Sequence, residues 1–95
     1  MLDLAKAELE MFAPLVKQGF DVVLTDGRWP LTLEAVRPLG EGHPGAMRKP
    51  FALQFRSAQP MRLPQGIYRL ENAQLGAMEI FLVQTSPSEA EAIFN

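Results

Sequence analysis

Residues 50–83 read PFALQFRSAQPMRLPQGIYRLENAQLGAMEIFLV, three runs of alternating apolar and polar residues separated by proline- or glycine-rich turns. Alternation sends successive side chains to opposite faces of an extended chain, so each run suits a half-buried antiparallel strand. In residues 50–57, Phe51, Leu53 and Phe55 point inward, and Gln54 and Arg56 point outward. In residues 67–71, Tyr68 and Leu70 share one face. In residues 77–85, Ile80 and Leu82 alternate with Phe81 and Val83, so both faces are apolar. That pattern predicts a central strand buried on both sides, or one covered by a helix. The segments 58–66, with Pro60 and Pro64, and 72–76, NAQLG, are the connecting loop and turn.

Upstream, residues 20–25 place Phe20, Val22 and Leu24 on one face, and residues 29–37 do the same with Trp29, Leu31, Leu33 and Ala35. Asp26-Gly27 between them is a strong turn signal, and the two runs form a β-hairpin. Pro30 lacks an N–H and belongs at a strand start or on an edge. Residues 38–49, PLGEGHPGAMRK, form a loop. Beyond the break at Ser86-Pro87-Ser88, residues 90–95 give a sixth strand with Ala92 and Phe94 on one face.

One helical segment precedes these strands, in residues 3–17, DLAKAELEMFAPLVK. Leu4, Leu9, Phe12, Leu15 and Val16 approximate an apolar stripe. Pro14 predicts either a helix ending near Ala13 or a second short helix with the proline in its first turn. Gly19 is expected to close the segment. No connection holds a crossover helix, so all pairing is antiparallel. The fold class is therefore mainly β (α+β), a small antiparallel six-stranded barrel or strongly curved sheet with one N-terminal helix, in a single domain over residues 1–95. Closure into a barrel would remove exposed strand edges.

Composition narrows the function classes. The chain has no cysteine, which excludes a disulfide scaffold, Cys-ligated zinc and thiolate catalysis, and which fits a cytoplasmic location. Asp3, Lys6, Glu8 and Glu10 stand where a secretory leader would be apolar. No run reaches the ~20 apolar residues of a membrane-spanning helix. A net charge of −2 conceals an asymmetry. Residues 37–69 hold six basic residues (Arg37, Arg48, Lys49, Arg56, Arg62, Arg69) against one acid, Glu41, and the remainder holds three basic residues and ten acids. Either the two sets pair within the fold or are solvated separately, or the basic set forms a face for an anionic partner. Arg56 and Arg69 both occupy outward positions and are candidates to share such a face.

Catalytic signatures are missing. His43 is the sole histidine and lies in a Gly/Pro-rich loop. Ser57, Ser86 and Ser88 have no nucleophile-elbow context. Glu34, Glu71 and Glu79 are strand-borne but outward-facing, as solvated carboxylates are. There is no phosphate-cradling glycine motif and no metal-binding motif, so no cofactor is expected. Nucleic-acid binding would need exposed aromatics beside the basic residues, whereas Phe51, Phe55 and Tyr68 read as core, so no nucleic acid is expected either.

The segments FAPLV, PFALQFR, LPQGIYRLE, LGAMEIFLV and EAIFN together resemble a family of short, uncharacterised bacterial proteins, a domain of unknown function. The likeness spans nearly the whole chain and is weakest at residues 86–91, where the connection is short. It implies an accessory part in phage-tail-like assemblies and carries no catalytic residues. The functional expectation is a non-catalytic protein-binding or accessory module, with a protein partner or self-association. Arg56, Arg69, Arg48, Lys49 and Phe81 are the candidate contact residues, and Trp29 and Ile93 are further candidates for exposed apolar groups. A small-ligand-binding β-barrel, lined by Phe51, Phe55, Tyr68 and Leu82, is the alternative. An enzyme using His43 with Glu41 or Arg48 is a second alternative.

Overall fold

The computed structural model describes residues 7–42, 44–45 and 48–95. A four-residue helix α1 (Leu9–Phe12) runs into a 3-10 turn (Ala13–Leu15). The strands follow: β1 (Gly19–Leu24), β2 (Gly27–Pro38), β3 (Phe51–Arg56), β4 (Gly66–Asn72), β5 (Gly76–Ser86) and β6 (Glu89–Phe94). They close into an antiparallel barrel in the order β1-β2-β3-β6-β5-β4. Closure rests on the β1–β4 seam, where Asp21, Val22 and Val23 pair with Glu71, Leu70 and Arg69. The barrel, rather than an open curved sheet, is thus the form the alternating strands adopt.

Inward positions fill the interior. Phe20, Val22, Leu31, Leu33, Leu53, Phe55, Leu70, Met78, Ile80 and Leu82 are all at most 2% exposed. The expected inward faces of β1, β3, β4 and β6 are met. β2 departs from expectation after Leu33. The β2–β3 register passes from Leu33↔Phe55 to Ala35↔Gln54, leaving Glu34 as the extra residue of a bulge. That insertion reverses the alternation, so Ala35 pairs with outward Gln54, while Val36 pairs with Leu53 and packs on the core. β5 departs too. Its second apolar face is not covered: Phe81 and Val83 are 51% and 36% exposed, because a closed barrel has one interior and α1 plugs an end rather than a side. Pro30 sits on an edge as expected, since β3 pairs with β2 only from Thr32 onward.

Both ends are stoppered. At one, Ala7, Phe12 and Leu15 are buried, and Phe12 meets Phe51 at 5.8 Å and Phe94 at 5.6 Å between ring centroids. Pro14 stands in the first turn of the 3-10 segment, the second of the two arrangements expected for it. Lys17 rather than Gly19 closes this segment: its φ of +75° turns the chain, and Gly19 opens β1. The part of the expected helix before Ala7 lies outside the described residues. At the other end, residues 57–65 cross from β3 to β4. These strands are three places apart in the ring of six, so the loop must span the mouth. Leu63 is buried beneath it.

The tight turns follow local chemistry. The β1–β2 loop is Thr25-Asp26, one residue earlier than expected, with Gly27 already paired to Leu24. In the β4–β5 hairpin, Gly76 takes a φ of +88°, which a side chain would strain. Asn72 Oδ1 accepts the N–H groups of Gln74 and Leu75, and its Nδ2 donates to the Gly19 carbonyl. Asn72 and Ser57, the buried polar residues among those described, are therefore both satisfied.

Candidate functional site

The candidate contact residues lie on the outside, but not together. Arg56 and Arg69 both point outward, from β3 and β4, on opposite sides of the ring, so they share no face. Strand order decides this, and alternation carries no information about strand order. Each of these candidate cations is also engaged. Arg56 lies 3.8 Å from Glu34 and 3.7 Å from Glu89. Arg69 meets Glu71 at 3.0 Å, and Lys49 meets Glu41 at 3.1 Å. Arg37 reaches across β3 to Glu91 at 3.0 Å. Of the readings of the charge asymmetry, internal pairing is the one the geometry favours.

Arg48 is a structural tie. Its guanidinium donates to the carbonyls of Asn95 and Ala7, both at 2.9 Å, and lies 5.2 Å from the Phe94 ring centroid. It thereby fastens the N-terminal plug to the end of β6, with a cation–π contribution. A cleft of about 630 Å³ opens beside it, lined by Glu8, Glu10, Glu41, Arg48 and Lys49 among others. His43 lies outside the described residues, and its proposed helpers Glu41 and Arg48 are occupied as above.

Groups named for chemistry are similarly engaged. Ser57 is buried and its Oγ accepts from Trp29 Nε1 at 2.9 Å. Ser86 Oγ donates to Glu89 at 3.0 Å. The carboxyl of Glu71 is held below its ordinary value of 4.5 by hydrogen bonds from Arg28, then Arg69. That of Glu34 is held down by the Lys17 ammonium, which donates to it at 2.8 Å. Carboxylates of lowered pKa stay ionised near neutrality and make poor general acids. Among the described residues, no cluster of three or more His, Cys, Asp or Glu is placed to hold a metal ion. No helix there is long and apolar enough to cross a membrane.

These lowered values set a pH dependence. A carboxyl with a folded pKa below its unfolded value stabilises the fold fully above the unfolded value, and that contribution is lost as pH falls through the folded value. The melting temperature of the wild type should therefore exceed that of Arg28→Gln at pH 7. The gap should narrow as pH drops below 4.5, as Glu71 is protonated in both. A gap of constant size down to pH 3 would contradict the assignment.

The four residues offered for a ligand-lined interior are used elsewhere. Phe51, Phe55 and Leu82 are each at most 1% exposed within the core, and Tyr68 donates its hydroxyl to the Pro64 carbonyl. None of them lines the cleft beside Arg48, nor the clefts beside Trp29 and beside Gln84.

What the outer surface does gather is apolar. Ile67 on β4 and Phe81 on β5 are directly opposed partners, 72% and 51% exposed. Val83 follows two residues on from Phe81 along the same face. Its partner on β6 is Glu91, and two residues beyond stands Ile93, 48% exposed. Of the three candidates for exposed apolar groups, Phe81 and Ile93 are exposed, whereas Trp29 is half-buried against the core. Ile67 and Val83 were not read from the sequence as part of this strip. Their signal is there: both occupy outward positions, in step with Arg69 and with Glu79 respectively.

Packed interior, stoppered ends and an outer apolar strip define a small closed antiparallel barrel whose distinctive groups are all external. The chain belongs to the family described as a domain of unknown function, DUF6916, whose model matches residues 7–94. This agrees with the resemblance to an uncharacterised family read from the sequence. No curated protein matches the chain, and no solved structure does.

Proposed function

We propose that this barrel is a non-catalytic module that binds another protein through the strip formed by Ile67, Phe81, Val83 and Ile93. The observation that carries the reading is that these exposed side chains are grouped on three adjacent strands rather than scattered. Single exposed apolar residues are ordinary, while grouped ones mark contact surfaces. Paired surface charges support the same reading, since they leave no strong field for an anionic partner. Closure supports it as well, because a barrel whose unpaired strand stretches are short favours docking by a face over adding a strand. The reading extends to a larger assembly, phage-tail-like in kind as the resemblance implies, as the setting for the partner.

Affinity capture with the full chain as bait, paired with light scattering, tests this. The wild type should retain a partner or self-associate. Phe81→Glu should weaken that binding by at least about tenfold, the scale of a central aromatic contact. Because Phe81 is half-exposed, the variant should keep the wild-type melting temperature. A wild-type chain that stays a non-interacting monomer overturns the reading. So does binding untouched by both Phe81→Glu and Ile67→Glu.

A further inference from the structure

We propose that the mouth of the barrel is a second contact site, separate from the outer strip, and that it takes a peptide segment presenting a carboxylate beside an apolar side chain. Three observations converge there. The first is a cleft of about 440 Å³ whose lining includes Leu24, Asp26, Trp29, Pro60, Met61 and Arg62. Its size is within the range of about 300–1,000 Å³ typical of small-ligand clefts. Trp29, Met61 and Pro60 give it an apolar side. A neighbouring cleft of about 510 Å³ shares Met61 and Arg62 and continues toward Gln84 and Pro87. Met61 and Arg62 thus line both concavities, whose combined extent suits a segment longer than a single side chain.

The second observation is Arg62 itself. Of the six basic residues in 37–69, five are engaged: Arg37, Lys49, Arg56 and Arg69 by carboxylates, and Arg48 by carbonyls and a ring. Arg62 is exposed and has no partner among the described residues. Arg28, on the same cleft, is already turned to Glu71 at 2.6 Å and Asp21 at 3.7 Å. The cation left for an incoming carboxylate is therefore Arg62, whose fork of donors suits one. Asp26 lines the same cleft and would repel a run of acids. One acidic residue next to an apolar one is the pattern that fits.

The third observation is rigidity without regular secondary structure. Residues 57–65 are bolted down at several points. Ser57 N–H donates to the Ser88 carbonyl and Met61 N–H to the Pro87 carbonyl, each at 2.8 Å. Gln84 accepts from Leu63 N–H at 2.6 Å and donates to the Met61 carbonyl at 2.9 Å. Trp29 is fixed through Ser57. A loop ordered before binding spares an incoming segment that entropic cost.

Trp29 is the chain's only tryptophan, so the cleft carries its own fluorescent reporter. A random dodecapeptide library is selected against the full chain, and enriched peptides are synthesised and titrated against Trp29 emission. Enriched sequences should carry Asp or Glu within two residues of Leu, Ile, Phe or Met, and their binding should shift the emission. Arg62→Glu should weaken them at least about tenfold, and so should replacing the peptide's acid by its amide. Phe81→Glu should leave them unchanged, which separates this site from the strip. No enrichment overturns the proposal. So does equal binding by Arg62→Glu, or equal binding of the amide peptide to the wild type, an arm that needs no variant to fold.

Discussion

Phe12→Ala is expected to lower the free energy of unfolding by about 3–5 kcal/mol, the range for deleting a buried phenylalanine. A helix of four residues has no stability of its own, since nucleation alone exceeds what one turn returns. α1 persists because of what its last residue does. Phe12 is fully buried against two rings that are themselves stacked, Phe51 and Phe94, 4.7 Å apart and 5° from parallel. Those two are also cross-strand partners on β3 and β6. The aromatic cluster therefore fastens the plug to the neighbouring strands at this end. Against a total of about 5–15 kcal/mol for a domain, the loss is large. Two outcomes share that size and differ in form. If the end keeps its shape around a cavity, the urea m value stays that of the wild type. If residues 7–15 detach, the contact of Arg48 with the Ala7 carbonyl goes with them, and m falls because less surface remains to be exposed. A change below about 1 kcal/mol would mean that the plug contributes little to the fold.

Alternation in residues 50–83 made the inside of the barrel legible, because a strand's period of two is set by the backbone itself. Leu53, Leu70 and Leu82 needed nothing beyond their neighbours to be placed. The bulge at Glu34 was not legible. It is a matter of register between β2 and β3, and nothing in LEAV marks one residue as the extra one. Strand order was equally hidden. β3 joins β6 rather than β4, and only that placement sets Arg56 and Arg69 on opposite sides. The same placement stretches residues 57–65 across the mouth and so creates the cleft beside Trp29. The apolar outer face of β5 looked like evidence of burial, as it would be in a layered sheet. In a closed barrel it is surface, which leaves Phe81 and Val83 exposed. The charge asymmetry leaves pairing, separate solvation and a basic face open in the sequence. Carboxylates from β2, β4 and β6 decide among these, and only the folded chain brings them in.

Gln84→Leu is expected to cost about 1–3 kcal/mol, the penalty for stranding partly buried backbone groups. The residue breaks a pattern: along β5, the inward series Met78, Ile80, Leu82 ends in an amide. An amide is what the mouth needs there. Its Oε1 accepts the Leu63 N–H at 2.6 Å, and its Nε2 donates to the carbonyls of Met61 and Ser86, both at 2.9 Å. Leucine fills similar space and offers none of these bonds, so the apolar swap at an apolar position should destabilise rather than improve packing. The damage should be local first. The Leu63 amide should exchange with solvent faster than those of β3, and protease should cut within residues 58–62 of the variant before it cuts the wild type. Because Trp29 leans on the same loop through Ser57, its emission should move toward that of exposed indole. Binding through Ile67 and Phe81 should persist, since neither touches the mouth, while peptides held by Arg62 should be lost with the loop's fixed shape. Unchanged exchange at Leu63 would show that the loop is held by the Ser57 and Met61 backbone bonds alone, and that Gln84 is a bystander at the end of its strand.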